Sequence, residues 1–183
     1  MTQAKAVLDS GAAGVHVPMV NTKADAELTV QMAKYPPLGS RGVGLARAQG
    51  YGEHFDAYVQ NAIADSLLLV QNELRDAVIT TEAILSVAGI DGIFIGSYGL
   101  SLSPGIPGNL THPDLLEAKH KVLRATLAQG LIAGAHFVQP RTAASDCQKA
   151  ISDGYRFIAL GTDILFLGDS ARALHHKVHG INK

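Results

Sequence analysis

The stretch from Leu67 to Ser103, LLLVQNELRDAVITTEAILSVAGIDGIFIGSYGLSLS, decides the fold predicted for the whole chain. It holds two short apolar runs, LLLV and GIFIG, separated by a segment long enough for a helix. Strands that are apolar on both faces and joined by such a right-handed crossover are typical of parallel α/β architecture. Ligands of these folds lie at the carboxyl ends of the strands, which here are residues 71–73 and 97–99.

The same alternation continues on both sides of this stretch. The predicted strands are Gly14–Val20, Leu67–Val70, the GIFIG run at 92–96, Leu131–Phe137 and Arg156–Gly161. The predicted helices are Thr2–Ser10, Thr22–Ala33 with Asn21 as N-cap, Glu53–Ala64, Arg75–Val87, Pro113–Gln129, Thr142–Ser152 and Asp163–His179. Two segments rich in glycine and proline, Tyr35–Gly52 and 97–113, are predicted to be irregular. Five strands alternating with helices indicate one parallel α/β domain over residues 1–183.

Two architectures fit this pattern. A doubly wound open sheet would be complete at 183 residues, whereas an eightfold barrel typically needs about 250, so the pattern alone favours the open sheet. However, neither GxGxxG nor GxxxxGK[ST] follows any predicted strand, and the usual nucleotide-binding devices of open sheets are therefore missing. The GxSxG elbow of serine hydrolases is missing too.

Composition narrows the class of partner and the compartment. A net charge of −1 argues against nucleic acid or an anionic membrane, since both need a basic face, and favours a small or neutral partner. The single cysteine, Cys147, excludes an internal disulfide and fits a reducing compartment, so a cytoplasmic location is expected. No apolar run approaches the length of a membrane span, and the N-terminal residues are too polar for a signal peptide.

Four motifs carry a resemblance that runs in order over nearly the whole chain. They are YPPLGSRGVG (35–44), VQNELRDAV (70–78), GIDGIFIGSYGLSLSPGIPGNLTHP (89–113) and ALGTDILFL (159–167). Together they resemble successive motifs of the HpcH/HpaI aldolase and citrate lyase family, whose members make or break carbon–carbon bonds next to a pyruvate-type enolate with a divalent metal. The resemblance implies a TIM-type (β/α) barrel of which this chain holds the last five parallel βα units, the N-terminal units being absent.

The resemblance also implies roles for particular residues. Glu73 matches a carboxylate that binds Mg²⁺ or Mn²⁺, and Gln71 matches a neighbour that lines the same site. Arg41 matches a catalytic arginine that contacts the keto or enolate oxygen, a role that suits its forked donors. Gly96 and Ser97 match the backbone against which the carboxylate of pyruvate, or of another small 2-oxo acid, rests.

Two departures from the family pattern qualify these roles. The family's second metal carboxylate is the Asp of a Gly-Pro-x-Asp-Leu-Ser pattern, and this chain has Gly99 at that position. The N-terminal part that bears the family's catalytic His is missing as well. Two functions follow: a carbon–carbon lyase impaired by these losses, with its cation weakly held, or an inactive relative kept for folding or assembly.

Other residues have simpler interpretations. His16 and His136 lie within strands and are expected to be packed, although His136, near a strand end, is an alternative substitute for the lost Asp. His112 is expected in a turn or cap, and Asp163 is expected to cap the last helix. Five strands of a barrel leave the first and last with one neighbour each. We therefore expect the chain to pair with another copy of itself or with a separate N-terminal polypeptide, most simply as a homo-oligomer, or to close its strands into an open sheet.

Overall fold

The computed structural model describes residues 3–102, 105–139 and 142–180. Its strands are β1 (Gly14–Val17), β2 (Leu67–Asn72), β3 (Gly92–Ile95), β4 (Ile132–Phe137) and β5 (Phe157–Leu160). Its helices are α1 (Gln3–Asp9), α2 (Lys23–Ala33), α3 (Phe55–Asp65), α4 (Arg75–Ile79), α5 (Thr81–Leu85), α6 (Ser97–Leu102), α7 (Pro113–Ala128), α8 (Ala143–Asp153) and α9 (Asp163–His179), with a 3-10 helix at Arg47–Gly52.

All strand pairs are parallel, and the order across the sheet is β1-β2-β3-β4-β5. Strands that follow one another in sequence are therefore neighbours throughout, as in a (β/α) barrel. The doubly wound alternative, which the strand pattern alone favours, is wrong because such a sheet reverses its strand order at a switch point. The sheet is a curled half-barrel of five strands, which confirms the partial barrel that the resemblance implies.

The two faces of the sheet differ in character because side chains alternate along a strand. On the outer face, Leu68 and Val70 of β2 and Ile93 and Ile95 of β3 are at most 1% exposed. They form one apolar cluster with buried residues of the helices that cover this face, among them Ala26, Val30, Ile84 and Val122. The inner face carries the alternate residues. Burial of the outer face under helices thus fixes which side chains of each strand point inward.

Several predicted boundaries shift where a local hydrogen bond decides them. The N-cap of α2 is Thr22, and not Asn21, because the Thr22 hydroxyl accepts a hydrogen bond from Asp25 N (3.1 Å) while Asp25 Oδ2 accepts one from Thr22 N (2.9 Å). The N-cap of α9 is Thr162, so that Asp163 is the first helical residue. His112 is confirmed as a cap, since its ring nitrogen accepts from Asp114 N (3.3 Å).

Three predicted elements differ in kind. The helix predicted over Arg75–Val87 is two short helices, α4 and α5, joined at Thr80. The 3-10 helix lies inside the segment predicted to be irregular, and α6 occupies the first six residues of the second such segment. Residues 103 and 104 of that second segment lie outside the described residues. Within the part of the chain that the structure describes, no helix has both the length and the apolar character needed to cross a membrane.

Candidate functional site

Glu73 follows directly on β2 and lies at the carboxyl edge of the sheet, half-buried. Its Oε1 accepts a hydrogen bond from the backbone N–H of Met19 (2.9 Å), and its Oε2 accepts one from Gln71 Nε2 (2.7 Å). Met19 has a φ of 59°, in the left-handed region that non-glycine residues seldom adopt. A carboxylate has about four lone-pair sites, so two donors hold Glu73 in place and leave it the capacity to bind a cation.

Gln71 connects Glu73 to a histidine. His16 lies on β1 opposite Leu69 of β2 and stacks on the ring of Phe94, with 4.4 Å between ring centroids. Partial desolvation lowers the pKa of His16, and the negative charge of Glu73 together with a hydrogen bond to Gln71 opposes that effect. His16, Gln71 and Glu73 therefore form one chain of polar contacts along the inner face.

Sequence reasoning missed this part of the site. It expected His16 to be packed, whereas the residue is exposed on the inner face, apart from its contact with Phe94. The strand register is the observation that could have placed His16 in the site. Once β1 and β2 are paired with His16 opposite Leu69, alternation places His16 and Gln71 on the same face.

Gly96 lies against both Gln71 and Glu73. A Cβ atom built on Gly96 would be 2.8 Å from Gln71 Nε2 and 2.8 Å from Glu73 Cβ. Its N–H donates to the carbonyl of Asn72 (2.9 Å), which ties the end of β3 to the end of β2. Glycine at this position leaves the space that the Gln71–Glu73 hydrogen bond occupies.

Gly99, in α6, faces the carboxylate of Glu73. A Cβ atom on Gly99 would be 2.9 Å from Glu73 Cβ and 3.2 Å from Glu73 Oε2. A side chain at position 99 would therefore start directly beside Glu73, where the resemblance implies a second metal carboxylate. The gap is too narrow for that side chain unless α6 and Glu73 move apart by a few tenths of an ångström.

Ser97, the first residue of α6, is half-buried and lines a different space. It borders a cavity between α7, α8 and the end of β4, to which neither Gln71 nor Glu73 contributes. The structure thus places Gly96 with Gln71 and Glu73, and Ser97 at the margin of this group.

Arg41 is not with the other candidates. Its Nη2 donates to Asp9 Oδ1 (2.6 Å) and to the hydroxyl of Tyr58 (3.3 Å), and only 4% of the residue is exposed. Asp9 ends α1, which leads into the amino end of β1, whereas Glu73 follows the carboxyl end of β2. At about 3.3 Å per residue, the six residues of β2 separate these edges by about 20 Å. The structure therefore does not bring Arg41 to Glu73.

The surroundings of Arg41 are those of a structural residue. Its guanidinium lies 4.5 Å from the ring centre of Tyr35 and 5.9 Å from that of Tyr58. Burial by itself lowers the pKa of Arg41, but the hydrogen bonds from Arg41 to Asp9 and Tyr58 outweigh it and raise that pKa. The anionic group that Arg41 contacts is, in this structure, the chain's own Asp9.

His136 does not substitute for the missing aspartate. Its Nε2 lies 2.8 Å from the carbonyl oxygen of Gly161, just beyond β5, whereas Glu73 is two strands away on the other side. Among the described residues no group of three or more His, Cys, Asp and Glu side chains could hold a metal ion. Mg²⁺ sites in proteins often use one or two carboxylates, with water and substrate oxygens completing the shell. A site with Glu73 as its carboxylate would have one such ligand, the lower of these two numbers.

Comparison with known proteins places this geometry in a family. The family model for HpcH/HpaI aldolase/citrate lyase matches residues 1–168. A 2-keto-3-deoxy-L-rhamnonate aldolase from Klebsiella pneumoniae is 41% identical over 163 residues, which are 88% of this chain and 59% of that protein. An aldolase of the same name from Salmonella paratyphi B is 39% identical over 183 residues, covering 97% of this chain and 67% of its own length.

Comparison with solved structures indicates the same family. The crystal structure of an HpcH/HpaI aldolase from Desulfitobacterium hafniense superimposes with a TM-score of 0.89 at 29% identity, covering 98% of this chain and 68% of that one. The chain thus spans between 59% and 68% of the length of these three relatives. The family match extends through all five strands and into α9. The chain belongs to the HpcH/HpaI aldolase/citrate lyase family.

Proposed function

We propose that this chain is a carbon–carbon lyase of the aldolase type, which acts on a small 2-oxo acid such as pyruvate with a divalent cation at Glu73. The observation that carries the proposal is the Glu73 carboxylate, held at the carboxyl edge by Met19 N–H and Gln71 and facing position 99. A rigidly held hard oxygen ligand at this edge is what Mg²⁺ or Mn²⁺ needs. When bound, such a cation polarises the keto oxygen of a 2-oxo acid and stabilises the enolate.

Each residue of the site has a defined part in this proposal. Glu73 binds the cation, and Gln71 fixes the orientation of its carboxylate through the 2.7 Å hydrogen bond. His16 holds the Gln71 amide from the neighbouring strand. Gly96 and Ser97 form the backbone wall for the substrate carboxylate. Arg41 is assigned a structural role at the opposite edge, outside the reaction.

A second candidate function is an inactive family member with a role in assembly. Gly99 favours it, because a single carboxylate holds a divalent ion weakly and glycine offers no side-chain ligand. The two candidates differ in what they predict for cation binding.

Titration calorimetry with Mn²⁺, alone and with oxalate as a stable mimic of the pyruvate enolate, tests the proposal. We expect Mn²⁺ alone to bind with a Kd of about 1 mM, or about 4 kcal/mol, and oxalate to tighten that binding about tenfold because its two oxygens complete the coordination shell. If neither Mn²⁺ nor the Mn²⁺–oxalate pair releases heat above dilution, the lyase proposal is rejected in favour of the assembly role.

We further propose that the chain forms a homo-oligomer through α9. This helix has no buried residue, and five of its exposed apolar residues lie at alternating spacings of three and four: Ile164, Leu167, Ala171, Leu174 and Val178. Leu167 and Leu174 are 74% and 64% exposed. A stripe with this spacing is the seam by which two helices pack, and a second copy of the chain carries the matching stripe.

Replacing Leu174 with glutamate should dissociate the oligomer, because it places a charge in the centre of the seam. Light scattering coupled to gel filtration measures the mass directly. Ala173→Glu is the matched control, since it adds the same charge to the same helix away from the stripe and should leave the mass unchanged. A wild-type chain that is monomeric at all concentrations, or equal dissociation by both variants, would show that α9 is not the interface.

The compartment proposed is the cytoplasm. Cys147 is a free, half-buried thiol, and a protein whose single cysteine forms no internal disulfide fits a reducing environment.

A further inference from the structure

A second cavity lies apart from the Glu73 site, between α7, α8 and the carboxyl end of β4. Its volume is about 570 Å³, which is within the range of small-molecule pockets. Apolar side chains form much of its wall, including Leu116 and Leu123 from α7 and Ala150 from α8. Of the residues assigned to the Glu73 site, Ser97 borders this cavity, and Gln71, Glu73 and Gly96 do not.

Two hydrogen-bond donors that line the cavity lack partners among the described residues. Lys119 of α7 makes no hydrogen bond or ion pair with any of them, and neither does the hydroxyl of Tyr155. Burial lowers the pKa of Lys119, while burial and the charge of Asp153 raise the pKa of Tyr155 to about 12. Tyr155 therefore keeps its proton at neutral pH, and both residues can donate to an anionic group.

Among the described residues that line the cavity, two lysines face two aspartates, and not all of these charges are paired. Lys149 is paired with Asp153 across 2.6 Å. Of the described Lys, Arg, Asp and Glu side chains that line the cavity, Lys119 and Asp146 then remain without an ion pair. Asp146 acts electrostatically on Lys119, yet the two are not within the 4.0 Å of an ion pair. A ligand that is only anionic would be repelled by Asp146, and one that is only cationic would be repelled by Lys119.

We propose that this cavity binds a small zwitterion, an α-amino acid with an apolar side chain. Its carboxylate accepts hydrogen bonds from Lys119 and Tyr155, and its ammonium group faces Asp146. The apolar side chain packs against Leu116, Leu123 and Ala150. The proposal is independent of the lyase function, because it uses none of the residues around Glu73.

L-leucine is the probe, and 4-methylpentanoate and 3-methylbutylamine are its matched analogues without the ammonium and without the carboxylate. Saturation-transfer NMR and calorimetry on the full chain measure the affinity of each. We expect leucine to bind with a Kd below about 10 mM, and each analogue to bind at least about tenfold more weakly. Leucine that does not saturate in this range, or an analogue that binds as tightly as leucine, overturns the proposal.

Variants test which residues are responsible. Lys119→Met and Asp146→Asn should each weaken leucine binding about tenfold or more, and circular dichroism establishes that each remains folded. Lys121→Met is the control, because Lys121 is on the same helix but lines a different groove, beside Arg75 and Leu115. If Lys121→Met weakens binding as much as Lys119→Met, or if Lys119→Met has no effect, the assignment of the cavity is wrong.

Discussion

Replacing Arg41 with methionine should lower the free energy of unfolding by about 3 kcal/mol. Arg41 is 4% exposed and its partner Asp9 is largely buried, with 17% of its side chain exposed. Removing the guanidinium leaves the Asp9 carboxylate with Lys5 as its one ion-pair partner among the described residues, and it removes the stacking on Tyr35. Denaturation in urea, followed by circular dichroism, measures the loss.

Arg47→Met is the matched control from the same glycine-rich segment. Arg47 donates to the carbonyl of Ser10 (2.8 Å) in an exposed hydrogen bond, so its loss should cost about 1 kcal/mol or less. The pair also separates a structural role from a catalytic one. A folded Arg41→Met chain should bind Mn²⁺ and oxalate as the wild type does. If the Arg41→Met variant is as stable as the wild type but no longer binds oxalate, Arg41 contacts the substrate and its role is not structural.

The pH dependence of the same variant provides a second measurement. Burial would raise the pKa of Asp9, but hydrogen bonds and charge from Lys5 and Arg41 hold that pKa below its ordinary value of 3.8. A lowered folded-state pKa means that the ion pair stabilises the fold above pH 3.8 and that this contribution is lost as the pH falls below it. The stability difference between wild type and Arg41→Met should therefore shrink as the pH falls below 3.8. An equal difference at pH 7 and in acid would exclude the Asp9 carboxylate as the origin.

The contacts of Arg41 are an example of what could not be predicted from the sequence. Its partners Asp9 and Tyr58 are 32 and 17 residues away, and nothing in the glycine-rich motif indicates which carboxylate would approach it. A motif with an arginine among glycines predicts an anion partner, and the structure supplies one from inside the chain. The role implied by resemblance could not be checked without knowing at which edge of the sheet the motif lies.

The strands were predictable for the opposite reason. LLLV and GIFIG are short runs that are apolar on both faces, as is typical of strands in a covered parallel sheet. Glu73 and Gln71 then follow from alternation, which requires no distant partner. The sequence did not predict short elements such as α6, because single local hydrogen bonds decide whether such elements form. Leu100 N–H donates to the carbonyl of Gly96, and the Ser101 hydroxyl donates to that of Tyr98, in a stretch whose glycines suggested a loop.

Replacing Glu73 with glutamine should abolish measurable binding of Mn²⁺ and of the Mn²⁺–oxalate pair. Glutamine keeps the shape of the side chain and one oxygen for Met19 N–H, so the fold should lose at most about 1 kcal/mol, but it removes the carboxylate proposed to bind the cation. Calorimetry under the conditions used for the wild type measures the change. Glu82→Gln, the same substitution in α5, is the control and should bind as the wild type does.

Introducing a second carboxylate at position 99 tests the same site by a gain of cation binding instead of a loss. Gly99→Asp places a carboxylate beside Glu73, where a Cβ atom would already be 2.9 Å from Glu73 Cβ, so α6 must shift slightly to accept it. If it does, Mn²⁺ should bind about tenfold more tightly or better, since two carboxylates then share the cation. Gly99→Asn introduces the same crowding without the charge and should gain nothing. Because the gain requires both groups, Gly99→Asp combined with Glu73→Gln should bind no better than wild type. Tight binding by that double variant would place the cation elsewhere and remove Glu73 from the reaction.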